Sequence, residues 1–205
     1  VNSVASQWGG MHDAWTIEMW FKTSTDSNMY LCDLYNTSNN VNRIYVRTRS
    51  SDDQIRFGTY NSSDDHDGME TTGIDCNDGK WHHLAVTSSG TVKQIYFDGK
   101  LNASKTVTVD RADDPSMKLY VGAKHDGTEK FTGQIEELRI FSDVRTPDEI
   151  RSNMFVNVHG DISGDALAAR YGFNEGTGTA IDNSQGTAGR DLVLTNASSW
   201  AGAGT

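Results

Sequence analysis

The sequence predicts an all-β fold in which two antiparallel sheets face each other as a sandwich or jelly roll. Three observations carry that expectation. Short segments with two-residue alternation recur along the 205 residues, clusters of Gly, Asp, Asn and Ser separate them, and only one stretch has the signals of a helix.

The first clear strand is WTIEMWFKT at 15–23. Trp15, Ile17, Met19 and Phe21 share one face, and Thr16, Glu18, Trp20 and Lys22 share the other, as in a half-buried strand. RIYVRTR, QIRFGTY, WHHLAVT, KQIYFDGK, KLYVGA and QIEELRIF follow, each short and rich in β-branched or aromatic residues. Asp98-Gly99 suits a two-residue hairpin turn, which needs positive φ at both positions, and Asp78-Gly79 is a candidate for a second. The helix signal is RTPDEIRSNM: Thr146 as cap, Pro147 in the first position and Glu149 completing a capping box predict a short helix near 147–154.

Length fits one domain over 1–205. The Gly- and Asn-rich stretch 159–165 is the best candidate boundary, but the roughly forty residues after it are too few for a core of their own. The start at Val1 is read as that of a piece cut from a longer protein. A formal charge of -10 argues against nucleic acid, and no apolar run approaches the roughly 18 residues of a membrane helix. The two cysteines allow a bridge without implying one: Cys32 lies in the apolar run MYLCDL, and Cys76 sits beside a turn where a thiol would be exposed. Four glycosylation sequons occur, at Asn36, Asn61, Asn102 and Asn196.

Adjacent His82 and His83 in an extended segment point to opposite faces and do not share a metal. No nucleophile elbow, HExxH or P-loop is present, and the carboxylate pair Glu136-Glu137 points apart. The cluster DDHDGME sets Asp65, Asp67 and Gly68 as DxDG, half of a calcium loop without its closing Glu. It reads either as an acidic solvated loop or as a ligand rim lined by Asp64, Asp67 and Glu70. Sugar sites need a flat aromatic for the pyranose face with polar groups around it, and Trp8, Tyr35, Tyr60 and Trp200 lie near loops where they serve either that purpose or packing.

In that order, WTIEMWFKT, DGKWHHLAVT, IYFDGK, LYVGA and FTGQIEELRIFSDVRTPDEI resemble the laminin-G-like and pentraxin-like branch of the concanavalin A-like lectin/glucanase superfamily over residues 15 to 151. The tail, YGFNEGTGTAIDNS followed by DLVLTNASSW, is similar to the stretch that opens many such domains. The resemblance therefore implies a circularly permuted jelly roll in which 170–200 supplies the usual first strands. Glucanases of this superfamily carry a Glu-x-Asp-x-x-Glu strand motif, which is absent here.

The resemblance also implies Ca2+. The pentraxin-like ligand loop matches GAKHDGTEKF, where Asp126 stands for an acidic ligand, Glu129 replaces a Gln, the His125 carbonyl lies between them and Asn40 joins from an earlier loop. Lys124 stands where the family has another carboxylate, which leaves room for one ion or none. A second, structural calcium is implied at Glu136 with Asn174 or Asp182, pinning the tail to the body; pairing or solvation of Glu136 at a strand edge is the alternative.

The expected function is a non-catalytic, calcium-supported recognition module of a larger secreted or cell-surface protein, binding carbohydrate in adhesion. The alternatives are a protein- or peptide-binding adhesion module, a ligand-free spacer and a polysaccharide hydrolase.

Overall fold

The computed structural model describes residues 2–6 as backbone, and 11, 13–36, 42–61, 63–108, 114, 116–156, 166–185 and 191–193. Fourteen strands and one helix lie among them: β1 (Asn2–Ser6), β2 (Trp15–Lys22), β3 (Tyr30–Asn36), β4 (Arg43–Thr48), β5 (Ile55–Tyr60), β6 (His66–Glu70), β7 (Trp81–Ser88), β8 (Val92–Phe97), β9 (Lys100–Thr106), β10 (Met117–Val121), β11 (Gln134–Phe141), α1 (Pro147–Asn153), β12 (Leu167–Tyr171), β13 (Ala180–Ile181) and β14 (Leu192–Val193). An eight-stranded sheet runs β13-β14-β1-β10-β3-β4-β5-β6, and a six-stranded sheet runs β12-β11-β2-β7-β8-β9. Every pairing is antiparallel.

Alternation decides what lies between the sheets. Trp15, Ile17, Met19 and Phe21 of β2 are buried with Leu34, Ile44, Val46, Phe57 and Leu119 of the larger sheet. Trp15 meets Phe57 edge to face across the sandwich at 5.7 Å between centroids.

MYLCDL lies mostly in β3, and two local readings change. The acidic stretch DDHDGME, read as a loop, is largely strand β6, paired residue for residue with β5. Alternation then turns Asp67 inward: its side chain is fully buried, so it lines no ligand rim. Lys93 of β8, itself buried, reaches Asp67 from the opposite sheet at 3.2 Å, and Lys105 of β9 lies at 2.5 Å. Burial alone would raise the Asp67 carboxyl, but these ammonium groups and the Thr108 N–H bring it down to about 2. Asp78-Gly79 leads from the larger sheet into β7 of the smaller one, and only Gly79 of the two has positive φ, so it is a crossover and not a hairpin turn. Asp98 and Gly99, at φ 49° and 72°, do join β8 to β9 as a hairpin.

The helix forms as its caps dictate, with Thr146 and Glu149 in a reciprocal capping box. Ile150 buries against Ala85 and Tyr96 on the outer side of the smaller sheet. The C-terminal strands extend both sheets: β12 pairs with β11, and β14 pairs with β1. Both cysteines are free thiols, and Cys76, expected exposed, is buried in the core.

Candidate binding face

On the larger sheet, the residues that alternate with the core positions point outward, and the register sets them in rows across β10, β3, β4, β5 and β6. One row runs Lys118, Tyr35, Arg43, Tyr60, His66; the next runs Tyr120, Asp33, Tyr45, Gly58, Gly68; a third runs Tyr30, Arg47, Arg56, Glu70 from β3 onward. The face is thus a lattice of phenol rings and guanidinium groups.

Its centre is the pair of Asp33 and Arg43. The Arg43 fork binds both oxygens of the fully buried Asp33 carboxylate at 2.6 and 2.8 Å. Burial works against the Arg43 charge, but Asp33 outweighs it and raises the guanidinium above its usual range. The same cation lies over Tyr30, Tyr45 and Tyr35 at 5.1, 5.2 and 5.7 Å from the ring centroids. Asp33 also accepts from the His125 backbone N–H and contacts its ring nitrogen, each at 2.9 Å, and that ring stacks on Tyr35.

Towards β6 the face is flattened by two glycines opposite each other, Gly58 and Gly68. A Cβ on Gly58 would lie 2.5 Å from the Tyr45 ring, and one on Gly68 would lie 2.7 Å from the His66 ring, so both rings rest on bare backbone. The rings are near parallel, and Tyr45 Oη bonds His66 Nε2 at 2.9 Å and accepts from Arg56 Nε at 3.0 Å. Burial, helped by Arg56, pushes the His66 pKa below its usual value. Tyr45 is buried support, while Tyr60 and His66, 4.6 Å apart, are only part buried and keep some ring surface open.

Several expected site residues gather here. Tyr35, Tyr60 and Glu70 belong to the lattice, and the loop carrying His125, Asp126 and Glu129 folds against its β3 side. Asp64 lies exposed in the β5–β6 turn. Asn40, Trp8 and Trp200 lie outside the described residues.

Two of the donors proposed for calcium, Asp126 and Glu129, pair with protein cations. Asp126 holds Lys124 at 2.8 Å and accepts from Thr128; despite some burial these bonds keep its carboxyl well below the usual range. Glu129 pairs with Arg47 at 3.4 Å. Glu136, Asn174 and Asp182 are exposed, and among the described residues no three His, Cys, Asp or Glu side chains converge on a metal position. Among the described residues these two sites therefore show no ready-made calcium cage. The tail is pinned instead by the neighbouring Glu137, whose carboxylate binds the Arg170 fork of β12 at 2.6 and 2.9 Å.

Sequence reading missed Asp33, Arg43, Tyr45, Arg47, Arg56 and His66. The available signal was parity: RIYVRT and IRFGTY each place Arg and Tyr on the face opposite their apolar residues. Of the sequons, Asn36 is buried and donates to Asp114.

This architecture defines a lectin-like antiparallel sandwich. The chain belongs to the Laminin_G_3 family of the concanavalin A-like lectin/glucanases superfamily, whose profile matches residues 2–151. It is 34% identical over 86 residues to the rat "Sushi, von Willebrand factor type A, EGF and pentraxin domain-containing protein 1", a stretch covering 37% of this chain and 2% of that protein. In structure it is similar to a Bacteroides ovatus protein described as a "putative carbohydrate binding protein", with TM-score 0.69, 20% identity, and 93% of this chain and 54% of that one covered. It is also similar to the CBM40 of a Ruminococcus gnavus sialidase, with TM-score 0.59, 14% identity, and 74% and 92% covered. At these identities the two structures speak for the fold alone. Among the described residues no helix is long and apolar enough to cross a membrane.

Proposed function

We propose that the outer face of the eight-stranded sheet binds carbohydrate and that the chain is a non-catalytic recognition module of a larger secreted or cell-surface protein, acting in adhesion. The supporting observation is the half-exposed Tyr60–His66 ring pair set beside Arg56 on a rigid sheet: a flat apolar surface for a sugar ring with charged donors at its edge. The description of the Bacteroides ovatus structure as carbohydrate-binding points the same way.

The carboxylates of this face are engaged structurally. Asp33 is held by Arg43, Glu70 by Arg49 and Arg56, and Glu129 by Arg47, which leaves no pair of carboxyls set for acid and base work. Recognition here is read as independent of calcium, because Arg43, Arg47 and Lys124 already neutralise the acidic groups a metal would need.

The test is an oligosaccharide array followed by calorimetry on wild type, Tyr60→Ala and His66→Ala, each in calcium and in chelator. Binding lost in both variants and unchanged by chelator is expected. Wild type that binds peptides but no sugar, or sugar binding indifferent to both substitutions, would overturn the proposal.

A further inference from the structure

The third row of the face places two arginines directly opposite each other on neighbouring strands, Arg47 on β4 and Arg56 on β5. Like charges in that position destabilise a sheet. Their carboxylates do not lie between them. Glu129 approaches Arg47 from the β3 side, where its carbonyl also accepts the Tyr30 N–H, and Glu70 approaches Arg56 from β6 while shared with Arg49. Along the row the charges read minus, plus, plus, minus. Both guanidinium groups keep part of their surface open, with side-chain exposures of 20% and 28%. All this sits in a chain with formal charge -10, where two part-open arginines set side by side need a reason.

We infer that the Arg47–Arg56 pair receives the carboxylate of an acidic sugar, so that the glycan bound at this face carries uronic or sialic acid residues. This rests on the carbohydrate reading above. A carboxylate offers two planar oxygens to two guanidinium forks, and opposed side chains on neighbouring strands are ~5 Å apart at Cβ, close enough to share it. Arg56 and Tyr60 lie four residues apart on the same face, on the order of 13 Å along the strand. The gap between them is floored by Gly58 and the Tyr45 ring. The His66 ring and the Arg56 guanidinium meet over Gly68, so an acidic sugar held by the arginines also reaches the rings, and a longer chain extends to Tyr60.

The experiment uses matched probes in calorimetry at fixed salt: uronate oligosaccharides against their methyl esters, sialyllactose against lactose, and sulfated against desulfated oligosaccharides. Wild type is expected to bind at least one carboxylated probe about tenfold or more tightly than its neutral twin, with the preference shrinking as salt rises. Arg47→Gln and Arg56→Gln should each erase the preference, so that the acidic probe binds no more tightly than its neutral twin. Arg47→Lys should restore it in part, since the charge returns without the fork. Thermal unfolding of each variant checks that the sheet persists. Equal affinity for acid and neutral twins, still sensitive to Tyr60→Ala, overturns the acidic specificity and leaves the carbohydrate site standing. Preference for sulfated probes alone overturns the carboxylate assignment, and no binding of any probe overturns both readings.

Discussion

The two sheets turn similar chemistry outward and use it differently. On the six-stranded sheet, Glu18, Arg139, Arg170 and His83 are all at or below 2% exposed, with Arg139 bonding Glu18 and two carbonyls at 153 and 156. Trp20 crosses the His83 ring and donates to the Met154 carbonyl, and α1 covers the neighbouring strands. On the eight-stranded sheet the arginines and rings are tied to one another just as closely, yet Arg47, Arg56, Tyr60 and His66 keep open surface. A sealed ionic network specifies structure, whereas an open one of the same composition is available to a ligand.

The sharpest way to break that contrast is to remove charges from the sealed regions. Arg139→Ala leaves Glu18 buried without its guanidinium, and a loss of about 3–5 kcal/mol in urea unfolding is expected. Asp67→Ala strands the buried Lys93 ammonium between the sheets and should cost a similar about 3–5 kcal/mol, a change that surface substitution on the open face will not approach.

Next comes pH. Burial, then Arg139, push His83 from 6.5 down to about 4, so between those values the unfolded chain binds more protons than the folded one. Stability held above pH 6.5 is therefore lost as pH falls towards 4, by on the order of 3 kcal/mol. Glu18, 3.9 Å from His83 and raised by its own burial, blunts the acidic end; Asp98 acts on His83 only weakly. Equilibrium unfolding from pH 7 to 4 should show the slope, and His83→Gln should flatten it.

Smaller effects fall on the open face. Gly58→Ala drives a methyl into the Tyr45 ring, which is held by Arg56 and His66, and should cost about 1–3 kcal/mol together with sugar binding. Tyr60→Ala should change stability by about 1 kcal/mol or less while reducing sugar affinity on the order of tenfold. The split between stability and affinity separates the two faces.

The sandwich was legible because alternation in WTIEMWFK and its successors is a local property, and so was the cap at Thr146. The candidate binding face was not, since it depends on which strands are neighbours. Arg43 and Asp33 are ten residues apart, and nothing in RIYVRT announces that β3 lies beside it with Asp33 at the matching height. DDHDGME misled because its charge density suggests a solvated loop, while Lys93, Lys105 and the Thr108 N–H neutralise its buried member from far along the chain. Asp126 and Glu129, read as calcium ligands, hold Lys124 and Arg47, pairings that the local sequence does not announce.

The measurement that bears most directly on the open face is an amide NMR titration with the best oligosaccharide from the array. The account predicts shifts concentrated in 43–48, 55–60 and 66–70, with the amides of Trp20, His83 and 147–153 unmoved. Shifts centred instead on the six-stranded sheet and its helix would contradict it.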